Sequence, residues 1–123
     1  MGACHAVLNR NKKSVAVDYT TAAGLAALQP LLQKADVVFV DGDANGALSA
    51  LSQATGPGAV IVSIEKCGGE FVVQAQSGAT ADQLDSTGSP TFLKTCVNEK
   101  STAMYASIAA TAALYARNRG TCG

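Results

Sequence analysis

Residues 36–41, "DVVFVD", place an unbroken apolar run between two aspartates. A run of this length without alternation fits a strand covered on both faces, the pattern of a parallel sheet. "AVIVSIE" at 59–65 is a second run of the same kind, and the shorter "SVAVD" at 14–18 a third. Parallel strands need crossovers, and helical periodicity supplies them. After "SVAVD", Leu25, Leu28, Leu31 and Leu32 fall on one helical face, with Thr20 or Thr21 available as cap. Pro30 removes an amide donor there, so a kink or local break is expected near Gln29. "ANGALSALSQA" at 44–54 reads as the next helix, ended by "GPG" at 56–58. The predicted fold class is α/β: a Rossmann-like three-layer domain with a short parallel sheet and a β-α-β-α-β core.

Downstream, "EFVVQAQSG" reads as a short helix ending near Gly78. Residues 79–99 look irregular, with a turn at "TGSP" and a further short strand in "TFLKTCV" as an option. A long C-terminal helix from about Lys100 to Arg119 closes the chain, with Arg117 and Arg119 suited to its negative end and Gly120 to its stop. Nothing divides the 123 residues, so a single domain over 1–123 is expected. A chain of this size can bury about 68% of its unfolded surface.

Composition removes several function classes. Nine basic and nine acidic residues cancel. The one basic cluster, "RNKK" at 10–13, is short and has no aromatic residues around it to stack bases, so nucleic acid is not an expected partner. Cys4, Cys67, Cys96 and Cys122 lack paired spacing, and His5 is the single nitrogen ligand, so no metal is expected. Four scattered thiols suit a reducing, intracellular setting, most simply the cytoplasm. "STAMYASIAATAALYA" at 101–116 is shorter than a membrane span and carries four hydroxyl residues, which fits a buried helix. Gly2 and Cys4 suggest a lipidated start, but Ala6 stands where that pattern takes Ser or Thr, so no lipid anchor is expected.

Open α/β sheets bind ligands beyond the carboxyl ends of their strands. Those ends carry Asp18-Tyr19, Asp41-Gly42-Asp43, and Glu65-Lys66 leading to Glu70. Carboxylates here can serve as acid, base or nucleophile, or as helix caps, the reading preferred for Asp41 and Asp43. No dinucleotide fingerprint, phosphate-binding P-loop or serine nucleophile elbow is present.

"LNRNKKSVAVD" at 8–18 resembles the start of the second βα unit of family III CoA-transferases, the family of carnitine CoA-transferase, formyl-CoA transferase and α-methylacyl-CoA racemase. The resemblance continues in register through "KADVVFVDGDANGAL", "AVIVSI", "GGEFVVQAQSG" and the segment from "SPTFLKTCVNEK" to "RNRGTCG". It implies that Glu70, aligned through Gln74, Ala75, Ser77 and Gly78, occupies the position of the family's catalytic Asp. That Asp attacks an acyl-CoA thioester to form a mixed anhydride. It also implies Arg10, Lys13 and Gly46 as the residues nearest to a coenzyme A site.

The chain departs from the pattern in four ways. Glu70 is one methylene longer than Asp, a displacement that can lower a rate on the order of 10²-fold. The glycine-rich loop that precedes the family's Asp is shortened to "SIEKCGGE", without the racemases' His. The family's Asn-Phe-Arg stretch after the second strand is replaced by Asp41-Gly42-Asp43-Ala44-Asn45-Gly46, which puts negative charge where an anionic nucleotide approaches. By the resemblance, these residues are expected to span roughly a third of the family length, without its first βα unit. The expectation is a non-catalytic scaffold or protein-interaction domain with no bound cofactor, a protein partner or homo-oligomer, and Glu70 as a remnant. The alternatives are a minimal or split CoA-transferase acting on CoA thioesters, and a CoA- or nucleotide-binding regulatory module.

Overall fold

The structure, a computed structural model, describes residues 2–42, 47–65 and 68–120. Its elements run α1 (Ala3–Leu8), α2 (Ala22–Leu32), β1 (Val37–Asp41), α3 (Ala47–Ala54), β2 (Val60–Ile64), α4 (Glu70–Gln76), α5 (Ala79–Asp82) and α6 (Val97–Asn118). The protein is mixed α/β, with a short parallel sheet and a long C-terminal helix.

The two uninterrupted apolar runs form the sheet. β1 and β2 pair in parallel, Val37 opposite Val60 through Asp41 opposite Ile64. Backbone bonds extend the ladder at both ends: Val60 N–H donates to Asp36 O at 2.9 Å, and Gly42 N–H to Ile64 O at 2.7 Å. Val38 and Val40 share one pleat face, and there Leu32, Val40, Leu51 and Ala54 make the core, joined by Leu25, Leu28, Leu48 and Ile61. This is the packing that the Leu pattern in α2 anticipates, except that Leu31 is exposed.

"SVAVD" is a correction to the expected three-stranded core. Residues 14–18 have no regular secondary structure, and among the described residues the sheet is two-stranded. A strand is held by a neighbour's amides and carbonyls and by burial of one face. Val15 has neither and stands exposed. "TFLKTCV" likewise forms no strand; Leu84 and Pro90 make one isolated bridge around the turn at 85–89, where the Asp85 carboxylate accepts from Thr87 N–H at 2.8 Å and Ser89 N–H at 3.0 Å.

α2 begins where Thr21 Oγ1 accepts from Gly24 N–H at 3.1 Å. It runs unbroken through Pro30 and ends at Leu32. Pro30 lies in the last turn, and the carbonyl deprived of a donor belongs to Ala26, at an exposed position where water can serve it. Gly24 is fixed by close approach: a Cβ there would lie 1.9 Å from the Asp18 carbonyl oxygen.

α6 is about 33 Å long by its residue count and packs along β2, burying Ala106 and Ala110. Its far end is clamped to the strand starts. Arg117 Nη1 donates to Gly58 O and Nη2 to Asp36 Oδ1, each at 3.1 Å. The helix therefore runs antiparallel to the strands, and its N-terminus reaches their carboxyl ends. Among the described residues no helix is long and apolar enough to cross a membrane.

Candidate functional site

The carboxyl ends of β1 and β2, the start of α4 and the first turns of α6 enclose a cleft of about 680 Å³. Asp41 and Glu65 enter from the strand ends, Glu70 from α4, and Asn98, Glu99 and Thr102 from α6, with Ile64, Val73 and Ala103 as apolar walls. Four of the sequence's carboxylates thus converge, and every charged lining residue among those described is acidic.

Glu70 opens α4 after Gly68 and Gly69, both in the left-handed region at φ 91° and 88°. Those two glycines turn the chain from β2 into the helix, a turn unfavourable for residues with a Cβ. Glu70 is only 8% exposed, and both of its oxygens accept hydrogen bonds. Oε1 accepts from Gln74 Nε2 at 2.8 Å, Asn98 N–H at 3.1 Å and Asn98 Nδ2 at 3.3 Å. Oε2 accepts from Glu99 N–H at 2.9 Å. Of the about four acceptor positions of a carboxylate, three donors crowd those of Oε1 and one meets Oε2.

Asn98 and Glu99 are the second and third residues of α6, whose own N-cap, Cys96, contributes no side-chain bond. Glu70 therefore caps α6 from another element, satisfying amides that have no partner within the helix and placing negative charge at its positive end. Burial works to raise the Glu70 carboxyl, but the bonds from Gln74 and from the Glu99, Asn98 and Val97 amides outweigh it and hold the group below the usual carboxylate range.

Gln74 completes the arrangement. It is fully buried, one helical turn after Glu70. Its Nε2 also donates to Leu93 O at 3.3 Å, while its Oε1 accepts from Leu93 N–H at 2.8 Å. A single amide thus pairs with both backbone groups of Leu93 as a strand neighbour would. The Phe71 and Phe92 rings pack edge-on beside it, centroids 4.9 Å apart. Cys96 is exposed and unpaired; the Glu99 charge, then burial, push its thiol up, away from the reactive thiolate.

Of the residues singled out in the sequence, Glu70 lies in the cleft with Asp41 and Glu65. Arg10 and Lys13 sit in the exposed N-terminal segment and do not line it. Gly46 and Asp43 lie outside the described residues, as do Cys67 and Cys122. Among the described residues no three His, Cys, Asp or Glu side chains are placed to hold a metal. Asn98, Glu99 and the double role of Gln74 were not identified from sequence. The i, i+4 spacing of Glu70 and Gln74 was the available signal.

Fold and cleft define a mixed α/β protein with a carboxylate-lined cleft at the ends of its two parallel strands. The profile of CoA-transferase family III matches residues 1–123, and the chain belongs to that family. Comparison with curated proteins found no match, and comparison with solved structures found none.

Proposed function

We propose that this chain is a non-catalytic CoA-transferase family III domain, a pseudoenzyme that serves as a scaffold for protein contacts. The observation that carries this reading is the bonding of Glu70. A nucleophilic carboxylate needs a free oxygen aimed at the thioester and enough basicity to attack. Glu70 instead caps α6, with its basicity lowered by the same bonds. The cleft adds an electrostatic argument. Coenzyme A is polyanionic, and one unit charge at ~4 Å and surface-like screening is worth roughly 4 kcal/mol; here Asp41, Glu65 and Glu99 face the approach. The scaffold is read as a Rossmann-like unit whose segment 14–18 has left the sheet.

One observation favours the enzyme reading, a minimal or split CoA-transferase: Glu70 lies at the strand ends, where sheets of this type bind ligands. Titration calorimetry with CoA and acetyl-CoA separates the two, followed by hydroxylamine treatment after incubation with acetyl-CoA. The scaffold reading expects no heat at millimolar ligand and no hydroxamate at Glu70. Micromolar binding with a trapped acyl group would overturn it.

A further inference from the structure

The turn at 85–89 takes no part in the cleft or the sheet, and residues 81–90 are exposed throughout. It carries the dipeptide Ser89-Pro90. Of the three prolines in the chain, the others follow Gln29 and Gly56, so Pro90 alone follows a hydroxyl residue. Pro90 has no amide hydrogen, and it confines Ser89 to extended backbone. A protein kinase takes its acceptor residue in an extended segment, and the class that accepts a residue without N–H directly after it is the proline-directed one. The long helix shows the contrast. Ser101, Ser107 and Thr111 are helical, and each donates to the carbonyl one turn back. Ser89 lies outside any helix, and its hydroxyl meets another hydroxyl, Thr87 Oγ1, at 3.1 Å.

Proton counting shows what a phosphate does to this turn. Asp85 Oδ1 accepts from Thr87 N–H at 2.8 Å, from Ser89 N–H at 3.0 Å and from the Thr87 hydroxyl at 2.6 Å. A hydroxyl has one proton, and an ionised carboxylate only accepts. The Thr87 proton is therefore committed to Asp85, and Ser89 Oγ is the donor toward Thr87. Esterification of Ser89 removes that donor and sets about −1.5 to −2 charges one hydroxyl away from Asp85. Two acceptors then face each other, and like charges meet at the atom that holds the turn. The hairpin closes over the same turn, with Asp85 N–H donating to Ser89 O at 2.9 Å and Thr91 N–H to Gln83 O at 2.8 Å. Leu93 has a separate anchor in Gln74.

We propose that Ser89 is a phosphorylation site for a proline-directed kinase, and that its phosphate releases the 85–89 turn. Ser89 Oγ attacks the γ-phosphorus of ATP. The new O–P bond forms as the bond to the β-phosphate oxygen breaks, ADP leaves, and the hydroxyl proton passes to the kinase's base. The site goes beyond the scaffold reading and does not depend on it, because no residue of the turn lines the cleft.

Incubation of the whole chain with a cyclin-dependent kinase and magnesium ATP, followed by mass spectrometry, is the test. One phosphoryl group should be added, at Ser89, and Ser89→Ala and Pro90→Ala should each abolish the addition. In the phosphorylated chain the Thr87 and Ser89 amides should exchange faster than in the unmodified one, with Leu93 unchanged. No addition, or addition that persists in Ser89→Ala or Pro90→Ala, would overturn the site. Addition at Ser89 with unchanged exchange at Thr87 and Ser89 would overturn the release of the turn.

Discussion

Glu70 and Gln74 show how one pair of side chains can hold three segments together. Gln74 offers the cleaner test, since it carries no charge. Gln74→Leu conserves much of the volume but strands both backbone groups of Leu93 and removes a donor from Glu70. Buried polar groups left unpaired cost about 1–3 kcal/mol each, so a loss of roughly 2–4 kcal/mol is expected, measured by urea unfolding. A loss below about 0.5 kcal/mol would mean that water replaces the amide.

Glu70 is tested through pH. Its folded carboxyl titrates below its ordinary value of 4.5, so the unfolded chain binds the proton first. Its contribution to stability is complete above the unfolded value and is lost as pH falls through the folded one. The Asp18 and Asp85 carboxyls, held low chiefly by the Thr20 and Thr87 hydroxyls, titrate in the same direction. A comparison with Glu70→Gln isolates the Glu70 part. The variant should be less stable than wild type at neutral pH, and the gap should narrow below about pH 4. A gap independent of pH would show that the charge of Glu70 contributes nothing to the cap. The sequence marked Glu70 but could not assign this role, because its partners lie 28 and 29 residues away.

At the level of elements, legibility followed locality. β1, β2 and α4 were readable because each declares itself within a few residues: an uninterrupted apolar run, or a turn followed by helical spacing. α6 was readable over its length but starts at Val97, one turn before the expected Lys100, because its cap is supplied by α4. "SVAVD" has strand composition and no strand partner, a fact that no local pattern contains. Its neighbour, the junction into α2, was missed for a similar reason. Gly24 reads as an ordinary helical glycine until the Asp18 carbonyl is seen against it. Ala normally stabilises a helix by about 0.5–1 kcal/mol over Gly. Here Gly24→Ala should reverse that sign, lowering stability by about 1–3 kcal/mol as the junction is pushed aside. A rise in melting temperature would show that residues 18–24 sit more loosely than described. The opposite clamp is a weaker device: Asp36 is 75% exposed beside Arg117, so Asp36→Asn should change stability by no more than about 1 kcal/mol.

The whole molecule departs most from what its length suggests. A chain of this size ordinarily buries about 68% of its unfolded surface, whereas 9085 Å² left exposed corresponds to burial of only about half. The difference has identifiable sources: residues 5–16 are exposed throughout, 14–18 do not enter the sheet, and the outer face of α6 is bare. The denaturant dependence of unfolding scales with the surface exposed, so it measures this property directly. The urea m-value should therefore fall about a quarter below that of a compact domain of equal length. A full-sized m-value would mean that the N-terminal segment folds back onto the body in solution, and "SVAVD" would be the segment to look for. Hydrogen exchange then locates the effect. Amides at 15–17 should exchange freely while those of β1 and β2 are protected, because only the two strands have a ladder to open. Protection at 15–17 together with a normal m-value would restore the third strand and, with it, the three-stranded core that the sequence pattern predicts.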